Sequence, residues 1–178
     1  YNKILVNGAE IIRECAYSSV YHELTGKYAL HVVLTGEVNF SIEKRNITLV
    51  PGSFIFINPG TTYTKEIASG NEANMLTVLF EPGFIQEFES SNLFKEYISS
   101  EYSVSFDHRE APLLEFICPL LGDMKFNVMQ LIKHMETENA DPLVLGEYLN
   151  HALLDYYELY DIEVIKRKAS LPFLNGNT

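Results

Sequence analysis

The sequence predicts a mainly β fold with C-terminal helices: a small barrel or jelly roll, then a helical segment. Three observations carry this. Two Pro-Gly steps bracket one short apolar run, Pro51-Gly52-Ser53-Phe54-Ile55-Phe56-Ile57-Asn58-Pro59-Gly60. Pro and Gly break regular structure most strongly, so that run reads as a strand held between tight turns. Around it, short β-branched and aromatic runs recur, with Gly8, Gly26, Gly36, Gly52, Gly60 and Gly70 at the breaks. After Pro82-Gly83 the apolar period changes from 2 to 3.6.

The strand-like runs, in order, are Ile4–Val6, Ile11–Arg13, Tyr28–Leu34, Asn39–Ile42, Ile47–Val50, Phe54–Ile57, Thr62–Ile67 and Met75–Phe80. Short even spacing of this kind is the pattern of a sandwich or barrel, and small barrels often hold one guest molecule. Beyond Pro82, the runs Phe84–Phe88 and Leu93–Ile98 read as short helices, with Leu113–Ile117 as a third. Two stronger helices follow, about 127–138 and 142–160, with Asp141 as N-cap and Pro142 at the first helical position. The last helix places Leu145, Leu149, Ala152, Tyr156 and Leu159 on one face. Such a stripe packs on its own domain or on a second copy, and the dimer interface is the sharper expectation.

Composition narrows the function classes. The chain has 178 residues, 47% of them hydrophobic, which suits one soluble domain with a helical appendage. No run reaches the roughly 20 apolar residues a membrane helix needs. No signal-peptide pattern opens the chain, so a cytoplasmic protein is expected. Cys15 and Cys118 lack metal-type spacing and are expected as buried free thiols. The net charge of -11 opposes direct binding to phosphate backbones. The single basic triplet, Lys166-Arg167-Lys168, fits a solvated helix end.

Enzyme motifs are missing: there is no nucleophile elbow, phosphate loop or metal-protease helix. His108-Arg109-Glu110 reads as a solvated turn, and His134 and Glu138, four apart, as a pair on one helix face.

The run from Tyr28 to Glu37, ending Leu34-Thr35-Gly36-Glu37, resembles the first cupin motif. The segment from Pro51-Gly52 to Asn58-Pro59-Gly60-Thr61-Thr62-Tyr63 resembles the second. With Leu79-Phe80-Glu81-Pro82-Gly83 and the helices that follow, residues 20–160 look like the sensor half of AraC-type transcription regulators. In that family a ligand-binding cupin barrel precedes helices that dimerise, a linker and a DNA-binding domain. The resemblance implies a cupin-like double-stranded β-helix in 1–82, a dimerising helical segment in 83–165 and a linker in 166–178. It also implies a small-molecule effector, a homodimer, and DNA contact only through a further domain.

The cupin metal ligands would fall at His22, Leu24, Ala29 and Tyr63. Leu and Ala cannot donate lone pairs, so neither a metal nor any other cofactor is expected. Recognition without chemistry remains. Because the cupin Glu position points inward, strand alternation aims Ala29, His31 and Val33 into the barrel. His31 with Tyr63 would orient a guest such as a sugar, an aromatic acid or a lipid-like molecule. A core histidine bonded to neighbouring groups fits the same pattern. Phe56 is a candidate pocket wall, and Tyr17 and His22 candidate contacts at the barrel mouth. A stand-alone cupin enzyme and a ligand-free interaction module are the alternatives.

Overall fold

The computed structural model describes residues 1–17, 19–22, 27–67, 70–99 and 116–170. Ten strands are found there: β1 (Asn2–Val6), β2 (Ala9–Ala16), β3 (Ser19–His22), β4 (Tyr28–Thr35), β5 (Val38–Ile42), β6 (Arg45–Leu49), β7 (Ser53–Ile57), β8 (Tyr63–Ile67), β9 (Ala73–Phe80) and β10 (Ile117–Pro119). Four helices are also found there, two on each side of β10 in chain order: α1 (Pro82–Glu89), α2 (Asn92–Ile98), α3 (Gly122–Met135) and α4 (Pro142–Ser170). The strands form a six-stranded sheet, ordered β1-β2-β9-β4-β7-β10, and a four-stranded sheet, ordered β3-β8-β5-β6. This is a cupin-like jelly roll whose two sheets face each other without closing into one continuous ladder.

The bracketed run is the pivot of the larger sheet. Ser53 N donates to Val50 O at 3.2 Å and Thr61 N to Asn58 O at 3.4 Å. Each Pro-Gly step thus fills the centre of a four-residue turn, Pro second and Gly third. The turn after β4 needs its glycine for a different reason. A Cβ on Gly36 would stand 2.3 Å from the Glu72 carbonyl oxygen. No side chain fits there.

All five residues of β7 are buried, because both faces of this sheet are covered. Ile55 and Ile57 point between the sheets and join Ala29, Val33, Phe40, Tyr63, Ile67 and Met75 in one apolar cluster. Phe54 and Phe56 point the other way, with Leu30, Val32, Leu76, Val78 and Phe80, into a second cluster under the helices. Strand β4 alternates in the same sense: Ala29 and Val33 inward, Leu30 and Val32 outward.

The helices cap the outer cluster. Asp141 Oδ1 accepts from Leu143 N at 2.9 Å, so the expected cap of α4 is formed. Tyr156 stacks on Phe56 with ring centroids 4.6 Å apart and planes 22° apart. Tyr157 Oη donates to Glu89 Oε1 at 2.8 Å and the Tyr97 hydroxyl to Asp161, tying α1 and α2 to α4.

Several expectations change. The stripe Leu145, Leu149, Ala152 and Tyr156 is buried within its own chain, and Leu159 packs partly against the same cluster. It attaches α4 to the sheet and is not available to a second copy. Ile117 lies in β10, paired with Ile55 of β7, rather than in a third short helix; residues 113–115 lie outside the described set, as do His108, Arg109 and Glu110. Helix α3 ends at Met135, so Glu138 is beyond it; the His134 ring instead lies 5.4 Å from that of Tyr148. Strands β3 and β10 are additions: the runs that form them are too short to stand out as periodic. Cys118 is buried as expected, but Cys15 is exposed.

Leu149 is 0% exposed, and a charge there would be buried without a partner. We expect Leu149→Glu to unfold the chain, read as loss of the cooperative thermal transition, rather than to give a folded monomer.

Candidate functional site

Strand alternation leaves one row of polar side chains between the sheets. His31 projects from β4 and Thr77 from β9, directly opposite each other in the larger sheet. Tyr63 and Lys65 project from β8 of the smaller sheet, two residues apart and therefore on the same face. Glu14 enters from β2, and its Oε2 lies 3.7 Å from Lys65 Nζ.

His31 is the hub of this row. Its Nδ1 lies 3.2 Å from Thr77 Oγ1 and its Nε2 3.0 Å from Tyr63 Oη. The second contact bridges the two sheets. Both partners are hydroxyls, which donate or accept, so either neutral tautomer is satisfied at both nitrogens. The Phe40 ring sits 5.0 Å away by centroid and the Tyr63 ring 5.6 Å away, edge-on. With 0% exposure the imidazole has no water contact. Burial, with the neighbouring Lys65 charge adding to it, pushes the pKa well below the ordinary 6.5. The ring is neutral.

Lys65 is also buried, only 4% exposed. Burial lowers its pKa, and the Glu14 carboxylate opposes that shift. The site therefore contains a neutral imidazole, two hydroxyls and an ion pair inside an apolar shell. Each of these groups is partnered within the chain. Among the described residues no group of three or more His, Cys, Asp or Glu side chains could hold a metal ion.

Of the residues singled out from sequence, Ala29, His31, Val33 and Tyr63 meet in this interior. Phe56 does not: it lies on the opposite face of the sheet, under Tyr156. Tyr17 is 64% exposed and stands outside the sandwich, where hydrogen bonding to Glu72 raises its hydroxyl pKa. His22 lies on β3, with its side chain outside the described set. Leu24 is outside that set altogether.

Sequence reasoning overlooked Glu14, Lys65, Thr77 and Phe40. For Lys65 the signal was present, since alternation in Tyr63-Thr64-Lys65-Glu66-Ile67 puts it beside Tyr63. For Glu14 it was masked by Ile11-Ile12, which gives no clean alternation.

The AraC-like ligand binding domain model matches residues 10–153 of this chain. The chain belongs to that family. The matched stretch runs from Glu10 in β2 through α3 and into the first part of α4. Among solved structures, apo ToxT K231A from Vibrio cholerae is similar in fold, with a TM-score of 0.60 at 7% identity over 86% of this chain. ToxT from Vibrio cholerae O395 bound to (E)-4-(8-methylnaphthalen-1-yl)but-3-enoic acid has a TM-score of 0.52 at 12% identity over 85%. This AraC-like chain spans 57% and 58% of those two ToxT chains. A Cupin 2 conserved barrel domain protein from Salinispora arenicola matches 47% of this chain and 71% of its own at 14% identity, with a TM-score of 0.41. No curated protein matches the chain significantly.

A histidine held neutral in the fold but ionised when unfolded destabilises the fold in acid. Below the ordinary pKa of 6.5 the unfolded chain takes up a proton at His31 that the folded chain refuses, so stability rises with pH there. We expect chemical-denaturation stability to fall between about pH 7 and pH 5 by up to ~1.4 kcal/mol per pH unit from this group. In His31→Asn that part of the slope should be absent. An identical pH profile in the variant would contradict the assignment.

Proposed function

We propose that this AraC-like domain is the effector-binding and dimerisation part of a cytoplasmic transcriptional regulator that binds its effector without transforming it. The sandwich within 1–82 takes the small molecule, the helical segment within 83–165 responds, and 166–178 leads toward a DNA-binding helix-turn-helix part. The bridge between His31 and Tyr63, one group from each sheet, is the observation that most supports this use of the interior. A guest that engages either group replaces an inter-sheet contact with a contact to itself. It thereby favours one spacing of the sheets through its differential affinity for the two states. Among the described residues no helix is long and apolar enough to cross a membrane.

One observation favours a second reading. The imidazole is sealed from solvent, which suits an interaction module whose interior is already full. A thermal-shift screen with sugars, aromatic acids and lipid-like molecules separates the two, since a ligand of the folded state raises the midpoint. For a binder so found, Tyr63→Phe should weaken affinity by about tenfold, as loss of one buried hydrogen bond does. Failure of every compound to raise the midpoint would favour the filled module.

Dimerisation needs a face other than the buried α4 stripe. The outer seam of α3 and α4 exposes Phe126 at 57% and Leu143 at 81%, with Met129 between exposed Lys125 and Lys133. Glu147 and Tyr148 of α4 line the groove beside Phe126, about 310 Å³ in volume. Apolar centres flanked by lysines on one helix and a glutamate on the other suit a second copy related by two-fold symmetry. Phe126→Glu should give a folded monomer in sedimentation velocity; an unchanged dimer, or a monomeric wild type, would overturn this interface.

A further inference from the structure

We propose that the outer face of the smaller sheet is a second binding site, one for a neutral sugar of one or two rings. It lies outside the sandwich, back to back with the interior, and stands whether or not the interior takes a guest.

Strand alternation builds this face. Val38, Phe40 and Ile42 of β5 are buried, as are Tyr63, Lys65 and Ile67 of β8, so the residues between them point outward. Cross-strand pairing sets the outward residues in two rows. Thr48 of β6, Asn39 of β5 and Glu66 of β8 form one, and Asn46, Ser41 and Thr64 form the other. These six residues line a depression of about 250 Å³. The half-buried Ser41 and Thr64 sit lowest in it, between the exposed Asn39, Asn46, Thr48 and Glu66. Neighbouring strands lie ~4.8 Å apart, so a row of three spans roughly 10 Å, close to the reach of a disaccharide.

The chemistry of the six side chains selects the ligand. Two amides, three hydroxyls and one carboxylate stand together, with no cation and no ring among them. Amides and hydroxyls both donate and accept, and so does every hydroxyl of a sugar. Thr48 Oγ1 donates to Asn39 Oδ1 at 2.8 Å, which fixes that amide and leaves its Nδ2 hydrogens for a ligand. Among the described residues, no hydrogen bond or ion pair engages the side chains of Ser41, Asn46, Thr64 or Glu66. Short side chains also lose less rotamer freedom than lysine or arginine when a ligand holds them. Asn and Ser are poor strand formers, yet Asn39, Ser41 and Asn46 occupy strand positions that β-branched residues would favour. Departures from local preference concentrate at functional surfaces.

The test is an NMR titration of the isotope-labelled chain with glucose and with maltose, and with glycerol as a control for unspecific hydroxyl effects. Amide signals of β5, β6 and β8 should shift saturably with at least one of the two sugars and not with glycerol. Asn46→Ala and Glu66→Ala change exposed side chains, so each should keep its fold by circular dichroism. Each should weaken the sugar about fivefold or more, the scale of one lost hydrogen bond. Tyr63→Phe, which alters the interior, should leave the affinity as it is. Unchanged affinity in both outer variants overturns the proposal; if Tyr63→Phe then weakens binding, the sugar lies between the sheets and the guest-holding interior is supported instead. Equal shifts with glycerol, or no saturable shift with either sugar, also overturn the outer site.

Discussion

The six-stranded sheet is covered on both faces, and the rest of the structure follows from that constraint. A strand buried on both sides must be apolar at successive positions, which β7 is along its whole length. Each strand then serves two cores at once. Leu30, Val32, Phe54 and Phe56 bind the helical layer, while Ala29, Val33, Ile55 and Ile57 bind the smaller sheet. A polar residue on the inner face has no route to water, so it must find its partner inside the sandwich, on its own sheet or the other. His31, Thr77 and Tyr63 do this among themselves, as do Glu14 and Lys65.

The same constraint explains what was legible in the sequence. Strands β4, β7, β8 and β9 announce themselves because turn residues bound apolar runs, and the Pro-Gly steps sit where the turns are. Alternation groups Ala29, His31 and Val33 on one face of β4, and the cupin resemblance is what makes that face the inner one. Alternation gives shared faces but not what covers them. Phe56 and Ile57 are both apolar, and only the position of α4 makes Phe56 part of the helical contact. The stripe on α4 was visible for the same reason, yet its partner was not. Periodicity identifies a face to be covered; Leu149 is covered by this chain's own core.

Charge was the least legible part. Lys65 and Glu14 look like solvated strand residues when read alone, because charged side chains are rarely buried. They are tolerated inside because each supplies the other's counter-charge. Full burial, with the Lys65 charge adding to it, keeps His31 neutral beside them. The interior is therefore polar in a specific sense: one neutral ring, two hydroxyls and one balanced pair, with no net charge of its own.

Strand β2 ties this interior to the helical layer through consecutive residues. Glu14 faces Lys65 between the sheets. Arg13, one position earlier, points to the opposite face, where its Nε donates to Asn74 Oδ1 at 2.8 Å and a terminal nitrogen lies 3.8 Å from Glu136 just past α3. Successive side chains on a strand point to opposite faces, so a displacement that moves Glu14 acts on the same stretch of backbone that positions Arg13. Strand β1, on the outer edge of β2, extends this link, because Asn2 Nδ2 donates to the Met135 carbonyl at 3.3 Å. The exposed ion pair contributes little by itself, on the order of 1 kcal/mol or less. Its importance is geometric: the end of α3 is held by the strand whose other face carries the interior carboxylate, so the two layers share one mechanical element.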